Sequence, residues 1–495
     1  VTFFQSYPIC AFPHILTWEH FKGLIAVKKI KMTQKSNILI IGAGISGLSC
    51  LHFLKRKNPN VDVVLLEKNP HAGGTIRSRR EDGFLFEHGP NGILAQPLIL
   101  EMFEQLGLSA HMIKASEAAK KRYVLKNGKL NPVPGHPKDF FQSNYLSAAE
   151  KCRAVCEMFV PKSFVPDETI YDFARRRFGT AVAEKLFDPM VKGIFGGDAR
   201  RLHLRSVFSK VDRMEQQHGS VFRALMKGKK EKGAVPFKRT LVSFREGMQT
   251  VIDALVEKYS RHIRCGVEVQ NISTGASGRS RFVIQTSSGL FEADHVILCA
   301  PAFAAAKLLQ GYDSELSRLL GQIEYAPIVV TGMGFERPPT RFSAVGGADF
   351  TKRGRGGVPE AYGYLVASSE KSPVLGALFE DQIFEGRASE NRALLRVMLG
   401  GSDHPEIVRD SPETIQSIAL NHLEKVLGLR QKPQKFFLKI WPQAIPQYTL
   451  EYADVIRKAR GRLENHPGLN LLANYLGGVS FNDCVENASQ LAERF

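Results

Sequence analysis

Asn37-Ile38-Leu39-Ile40-Ile41 carries no charge and four consecutive aliphatic side chains, the pattern of a strand buried on both faces. It ends in Gly42-Ala43-Gly44-Ile45-Ser46-Gly47, and from Ser46 to Lys57 the chain reads as a helix. Val61 to Leu66 is a second buried strand, so the segment reads strand, glycine turn, helix, strand. Residues 117 to 231 look mostly helical, with breaks at Pro132-Val133-Pro134-Gly135 and from Pro161 to Pro166. Strand patterning returns at Phe282 to Thr286 and at His295 to Cys299, the second stopped by the small-residue turn Ala300-Pro301-Ala302. Residues 328 to 452 mix strands with two helical patterns. The chain closes with a strand over Leu469 to Ala473, a glycine turn and a helix through Gln490. This order predicts an α/β protein, with a nucleotide-binding fold interrupted by inserted domains and completed by the C-terminal segment.

The glycines have separate tasks in such a fold. Gly42 makes the tight turn, Gly44 lets the backbone approach a pyrophosphate, and Gly47 lets the helix pack close to the strand with its N-terminus facing the phosphates. Glu67 ends the second strand about 20 residues beyond the glycines, where an acid holds a ribose hydroxyl and disfavours a 2′-phosphate. That leaves NAD or FAD. His71-Ala72-Gly73-Gly74-Thr75-Ile76-Arg77-Ser78 reads two ways: a loop closing over the far phosphate and isoalloxazine of a long cofactor, or a Gly-Gly turn with a solvated arginine. Gly477 and Gly478 permit close backbone approach near the end of the chain. A helix starting near Asn482 would offer free N–H groups to a flavin, and Asn482-Asp483 also reads as a plain N-cap.

At 495 residues the chain has room for two or three domains, with 43% hydrophobic and 23% charged residues as in ordinary globular proteins. The seven cysteines are scattered without a CxxC pair, so the sequence predicts a reducing compartment, no zinc and no disulfide framework. Net charge is +18 and uneven: Glu117 to Arg239 holds 26 Lys/Arg against 13 Asp/Glu, including Lys120-Lys121-Arg122, Arg175-Arg176-Arg177 and Lys227-Gly228-Lys229-Lys230. Such a region favours an anionic partner, while for each triplet alone a solvated face is the simpler reading. No stretch of about 18 uncharged apolar residues exists to span a bilayer. Val1 to Lys31 lacks the apolar core of a secretory signal, and the expectation is an extension outside the fold that begins near Met32.

Several blocks together resemble a family. The glycine turn with Glu67, Gly73-Gly74-x-Ile76-Arg77-Ser78 and Phe86-Glu87-x-Gly89-Pro90 are similar to flavoprotein oxidases related to amine oxidases and desaturases. Lys192-Gly193-Ile194-Phe195-Gly196-Gly197-Asp198 with Leu204-Arg205-Ser206, Tyr362-Gly363-Tyr364-Leu365-Val366, Val397-Met398-Leu399-Gly400-Gly401, Ile445-Pro446-Gln447-Tyr448-Thr449-Leu450 and Gly478-Val479-x-x-Asn482-Asp483-Cys484 narrow the resemblance. It points to the oxygen-dependent protoporphyrinogen oxidases of haem biosynthesis, from about residue 36 to the end. Ala199 stands where that family usually has proline, and His88 where it commonly has an apolar residue.

The resemblance implies non-covalent FAD and a three-part architecture. A Rossmann-like FAD-binding domain (33–116, 232–327, 453–495) would carry an inserted helical membrane-binding domain (117–231) and an α+β substrate-binding domain (328–452), after the extension 1–32. It implies FAD contacts at Gly42, Gly44, Ser46, Gly47, Glu67, Lys68, Gly73, Gly74, Thr75, Arg77, Gly89, Pro90, Asn91, Val269, Ala300, Trp441, Gly478, Val479 and Asn482. Arg122 would pair a substrate propionate, and Tyr362, Gly363, Leu365 and Met398 would line the tetrapyrrole pocket. No general base, metal or nucleic acid is implied. The partners are a porphyrinogen, molecular oxygen and an anionic membrane surface, with a homodimer admitted and a cytoplasmic location on the inner face of a membrane. Coproporphyrinogen III as substrate, an amine oxidase or desaturase on the same fold, and a flavin-binding scaffold without turnover stay open as alternatives.

Overall fold

The computed structural model describes residues 37–135, 137–230, 240–275, 281–336 and 360–495; the segment 1–32 lies outside them. The first strand, Asn37–Ile41, sits in the centre of a five-stranded parallel sheet. The order is Ile263–Cys265, Asp62–Glu67, Asn37–Ile41, His295–Leu298, Leu469–Leu471. Three widely separated stretches of chain therefore build one sheet. The reason is visible along Ile38–Ile41, where all four side chains are buried and a neighbour is needed on each edge and each face. Helices Ile45–Lys57, Gln249–Lys258 and Phe481–Ala492 pack against this part, so the C-terminus closes what the N-terminal segment starts.

A second, seven-stranded sheet runs Lys435–Pro446, Tyr325–Glu336, Arg392–Gly400, Val374–Phe379, Gly363–Val366, Arg122–Lys126, Lys129–Pro132. Its back face (Tyr123, Leu125, Tyr364, Ala377, Leu395, Val397) shares one apolar core with Ile415, Ala419, Leu423 and Leu427 of helix Pro412–Leu427. The last two strands correct the expectation of helix from Glu117 onward. Tyr123, Leu125 and Leu130 alternate onto the back face, and Asn127 and Gly128 turn the hairpin with φ of +54° and +66°. An Asn-Gly turn between alternating apolar residues is a hairpin signal. Helical character sets in after this hairpin, in Ala148–Val155, Ile170–Phe178, Asp188–Phe195, Leu204–His218 and Val221–Lys230.

The basic triplet in Ile170–Phe178 is not a solvated face. Arg175 is exposed beside Asp172, but Arg176 pairs with Glu168 at 2.8 Å and Glu215 at 2.7 Å. Arg177 is fully buried against Glu157. Two of the three cations are thus internal to the helical region. Those two charges do not face a partner.

Candidate active site

The phosphate turn has the geometry its glycines predict. Gly42 holds φ at +106°, and a Cβ on Gly47 would overlap the Gly42 carbonyl oxygen, so helix Ile45–Lys57 is seated directly on the turn. Gly44 is the N-cap, with no side-chain cap and no acid in the first turn. A Cβ on Gly44 would meet nothing within 4 Å, which leaves the helix N-terminus facing open space. Ser46 is buried in that first turn. Gly73 closes the other side, its N–H donating to the Ala43 carbonyl at 2.8 Å, with Gly74 against Gly44.

Glu67 is buried at the end of its strand, where Oε2 accepts the Ala43 N–H and Oε1 the Asn69 N–H, both at 2.9 Å. Asn69 Nδ2 adds a third donor, so of roughly four acceptor positions on a carboxylate one stays open for a ribose hydroxyl. Lys68 is exposed alongside. Val269 is buried where the chain leaves Val267, whose N–H donates to the Glu67 carbonyl at 2.9 Å. Ala300 follows Cys299, whose carbonyl lies against Gly42.

The loop from His88 to Asn91 lies where the two sheets meet. A Cβ on Gly89 would overlap the Thr75 carbonyl, and His88 N–H donates to the Arg77 carbonyl at 2.9 Å, so this loop runs beside the Gly73–Ser78 segment. Trp441 Nε1 donates to the His88 carbonyl at 2.9 Å, and the Arg396 guanidinium donates to the Gly89 carbonyl. Pro90 follows, partly exposed. The Asn91 side chain turns inward, its Nδ2 donating to Glu380 at 3.2 Å, while the Asn91 backbone carbonyl accepts from Ser243 Oγ at 2.8 Å and Arg387 Nη2 at 3.0 Å. Arg387 is fully buried and pairs with Glu87 at 2.9 Å. Burial raises the Glu87 carboxyl and Arg387 opposes that rise. Asn91 thus ties the loop to strand Leu241–Phe244 and to the Glu380–Arg387 segment that follows strand Val374–Phe379.

At the C-terminal loop Gly478 takes φ +147° and donates its N–H to Tyr448 Oη at 3.1 Å. Val479 is half-buried. The N-cap reading of Asn482 is corrected, because Ser480 caps helix Phe481–Ala492 in a reciprocal box with Asp483. Asn482 is instead buried, its Nδ2 donating to the Leu94 carbonyl at 2.7 Å and its Oδ1 without a partner among the described residues. A buried acceptor without a donor, together with the open face of Gly44, fits a long dinucleotide lying from Glu67 across the turn to this loop.

The substrate candidates share one face of the seven-stranded sheet. Paired positions run in a row from Arg122 through Gly363, Leu378, Arg396 and Gly332 to Phe437. The next row runs from Val124 through Leu365, Gly376, Met398 and Val330 to Lys439. Directly paired residues point to the same side, so Arg122, Gly363, Leu365 and Met398 face one space. Arg122 is buried with its guanidinium 4.6 Å from the centre of the Tyr362 ring. Gly363, at φ +142°, admits no side chain, since a Cβ would overlap the Ala377 carbonyl. Helix Asp188–Phe195 covers part of the face, with Gly193 set against Leu365 and Gly196 against Ile328.

Arg396, Lys439, Glu380, Arg387 and Tyr448 touch this site and were not among the sequence candidates. Arg396 and Lys439 carried a usable signal, each standing two positions before a candidate (Met398 and Trp441) on a strand, hence on the same face. Among the described residues no group of His, Cys, Asp and Glu could hold a metal ion.

Residues 45–494 match the model of the flavin containing amine oxidoreductases. The chain is 30% identical over 482 residues to protoporphyrinogen oxidase of Homo sapiens, covering 92% of this chain and 97% of the relative. It is 28% identical over 481 residues to chloroplastic protoporphyrinogen oxidase 1 of Arabidopsis thaliana (93% and 88% covered). It is also 27% identical over 479 residues to coproporphyrinogen III oxidase of Bacillus subtilis (91% and 96%). The crystal structure of an Exiguobacterium protein assigned as a protoporphyrinogen oxidase superposes with a TM-score of 0.76 at 25% identity, covering 93% of this chain and 99% of that one. The family match runs from the end of the phosphate turn through the seven-stranded sheet to the closing helix, and the chain belongs to the flavin containing amine oxidoreductases, with FAD as its cofactor.

Proposed function

We propose that this chain oxidises protoporphyrinogen IX to protoporphyrin IX, with bound FAD as hydride acceptor and molecular oxygen as final oxidant, giving hydrogen peroxide. The observation that carries this is the single face on which Arg122 stands at one end, Gly363, Leu365 and Met398 in the middle, and the His88–Asn91 loop at the other. That face offers a cation for a propionate, an apolar floor for a macrocycle and a cofactor loop beside it. FAD, when bound, supplies the redox chemistry; the residues bind, orient and exclude water. Arg122 fixes the substrate's register by a charge-assisted pair. Leu365 and Met398 keep the face dry, and Gly363 leaves room for a ring to lie flat. No general base stands among these residues, which suits a donor that loses a hydride from a carbon bridge.

The names of the human and Arabidopsis relatives support protoporphyrinogen, and that of the Bacillus relative supports coproporphyrinogen III as a second reading on the same face. Anaerobic mixing of the purified holoenzyme with protoporphyrinogen IX tests the proposal. Flavin absorbance should bleach and return when oxygen is admitted. A flavin that stays oxidised would make this chain a binding scaffold or an enzyme for another substrate.

The FAD-binding part then comprises 33–116, 232–327 and 453–495. The substrate-binding part comprises 328–452 with the hairpin Arg122–Pro132, and the helical region up to 231 docks on a membrane. No helix among the described residues is long and apolar enough to cross one. The helical region nevertheless exposes Phe141, Phe159, Phe164, Val165 and Met226, with Phe159 at 75% exposure. Such side chains seat in a headgroup layer and basic residues nearby add attraction to anionic lipid, a peripheral mode at the inner face of a membrane. Each buried phenylalanine is worth roughly 1.5–3 kcal/mol. Phe159→Ser with Phe164→Ser should therefore cut binding to anionic vesicles at least about tenfold in a sedimentation assay, with wild-type binding weakening as salt rises. Unchanged sedimentation of the double variant would exclude this surface.

A further inference from the structure

Around His88 the molecule gathers positive charge. Its ring is held neutral, with a pKa of about 4, first by burial and then by Arg77, Lys439, Arg396 and Arg79. Arg79 has Glu81 at 2.6 Å and Arg396 has the buried Glu380 at 3.5 Å. Lys439 has no carboxylate in ion-pair reach among the described residues; its ammonium rests 4.3 Å from the centre of the Trp441 ring. That same ring donates to the carbonyl of His88. Lys439 shares a row with Met398 and Val330, and Arg396 occupies the adjacent row across the same strand, so both cations face the His88–Pro90 loop from the sheet. Arg396 is buried, bonds the Gly89 carbonyl, and keeps Nε without an acceptor among the described residues.

Clustered like charges repel, and a half-buried lysine lodged among arginines is costly unless an anion shares the space. We propose that Lys439, supported by Arg396, is the residue that sets the charge at the edge of the bound flavin and favours its reduced, anionic form. The inference rests on the reading that the His88–Pro90 loop and Trp441 hold the isoalloxazine. Hydride transfer delivers two electrons and one proton, so the ring system gains one negative charge unless it takes a further proton from solvent. A nearby ammonium stabilises that charge and leaves the neutral oxidised form almost unaffected, which raises the midpoint potential. Trp441 holds the ammonium in place by its ring face, and the bond to His88 holds Trp441. Lys439 is here a positioning charge and performs no proton transfer.

Redox titration of FAD-loaded holoenzyme reads this directly. Lys439→Met should lower the midpoint potential by a roughly tenfold change in the reduced-to-oxidised ratio, about 30 mV for a two-electron couple. Lys439→Arg should restore most of it, because the charge returns. Lys439→Gln is the second variant, keeping the stem's packing over Trp441 without charge, and should match Met. Protoporphyrin IX binding, followed by fluorescence quenching, is measured on all three in parallel and separates a charge acting on the flavin from one that holds a substrate carboxylate. An unchanged potential in both neutral variants overturns the inference. Unchanged potential with weakened porphyrin binding overturns it too, and assigns the cation to a substrate carboxylate. The reading beneath it fails in another way: wild-type holoenzyme that retains FAD and is not reduced by porphyrinogen.

Discussion

Arg122→Ala should lower kcat/KM for protoporphyrinogen by roughly 30-fold to several thousandfold, the equivalent of about 2–5 kcal/mol for truncating one partner of a desolvated charge pair. The size follows from where the guanidinium sits. Arg122 is buried at the end of a row of strand positions and stacked on Tyr362, so a propionate reaching it meets a fixed, partly dry cation. Part of the loss comes from the carboxylate left without its partner. FAD content should be unaffected, because Arg122 stands three strands from Arg396, which touches the cofactor loop. Arg122→Lys keeps the charge but loses the planar fork and the stacking, and should recover only part of the rate. Lys120 and Lys121 are the controls. Both are exposed, Lys120 beside Glu117, and their alanine variants should turn over at the wild-type rate. Steady-state kinetics with the flavin-to-protein ratio measured on each variant decides the matter. Unchanged kinetics in Arg122→Ala would reduce this arginine to a structural member of the sheet.

The parts of this molecule that local chemistry dictates could be read from the chain. Gly42, Gly44 and Gly47 are each required by a turn, an open face or a close packing distance, and a strand as apolar as Ile38–Ile41 has few other places to go. The hairpin Arg122–Pro132 carries its signal in Asn127-Gly128, but Arg122, Lys126 and Lys129 around that turn weaken the apolar alternation of Tyr123, Leu125 and Leu130. The fate of the Arg175-Arg176-Arg177 triplet could not be read, since which arginine is buried depends on carboxylates 8 to 39 positions away. Asn91 shows the same limit. Its engagement by Glu380 and Arg387, nearly 300 residues on, follows from tertiary packing that no local motif encodes. Arg396 and Lys439 lie between these cases. Their strand spacing from Met398 and Trp441 puts them on the site face, yet only the pairing register shows that they meet across one strand.

Arg177→Met should destabilise the helical region by about 3–5 kcal/mol, the cost of breaking a buried ion pair by removing one partner. Arg177 joins more chain segments than any single apolar contact there could. Its Nε donates to Glu157 at 2.9 Å, Nη1 to the carbonyls of Val160 and Pro161 at 2.9 and 3.2 Å, and Nη2 to the carbonyl of Gly219 at 2.9 Å. Glu157 in turn accepts from Ser220 Oγ at 2.6 Å and from the N–H groups of Val221 and Phe222, which are the free donors at the start of helix Val221–Lys230. Methionine fills a similar volume but leaves three carbonyls unsatisfied and one carboxylate without its counter-charge. Glu157→Gln should cost less, since an amide oxygen in the Oε2 position still accepts from Ser220 and Phe222 while the Val221 N–H loses its acceptor. The two changes together should cost less than their sum, because the second no longer strands a charge. The same bonds hold Val160 and Pro161, which connect the exposed Phe159 to Phe164. Limited proteolysis between 156 and 166 should therefore quicken in Arg177→Met while the flavin stays bound, and helical circular dichroism should melt below the temperature at which free-flavin fluorescence rises. A single melting transition with FAD released at the same temperature as the helices would show that this ion pair stabilises the whole chain and not the helical region alone.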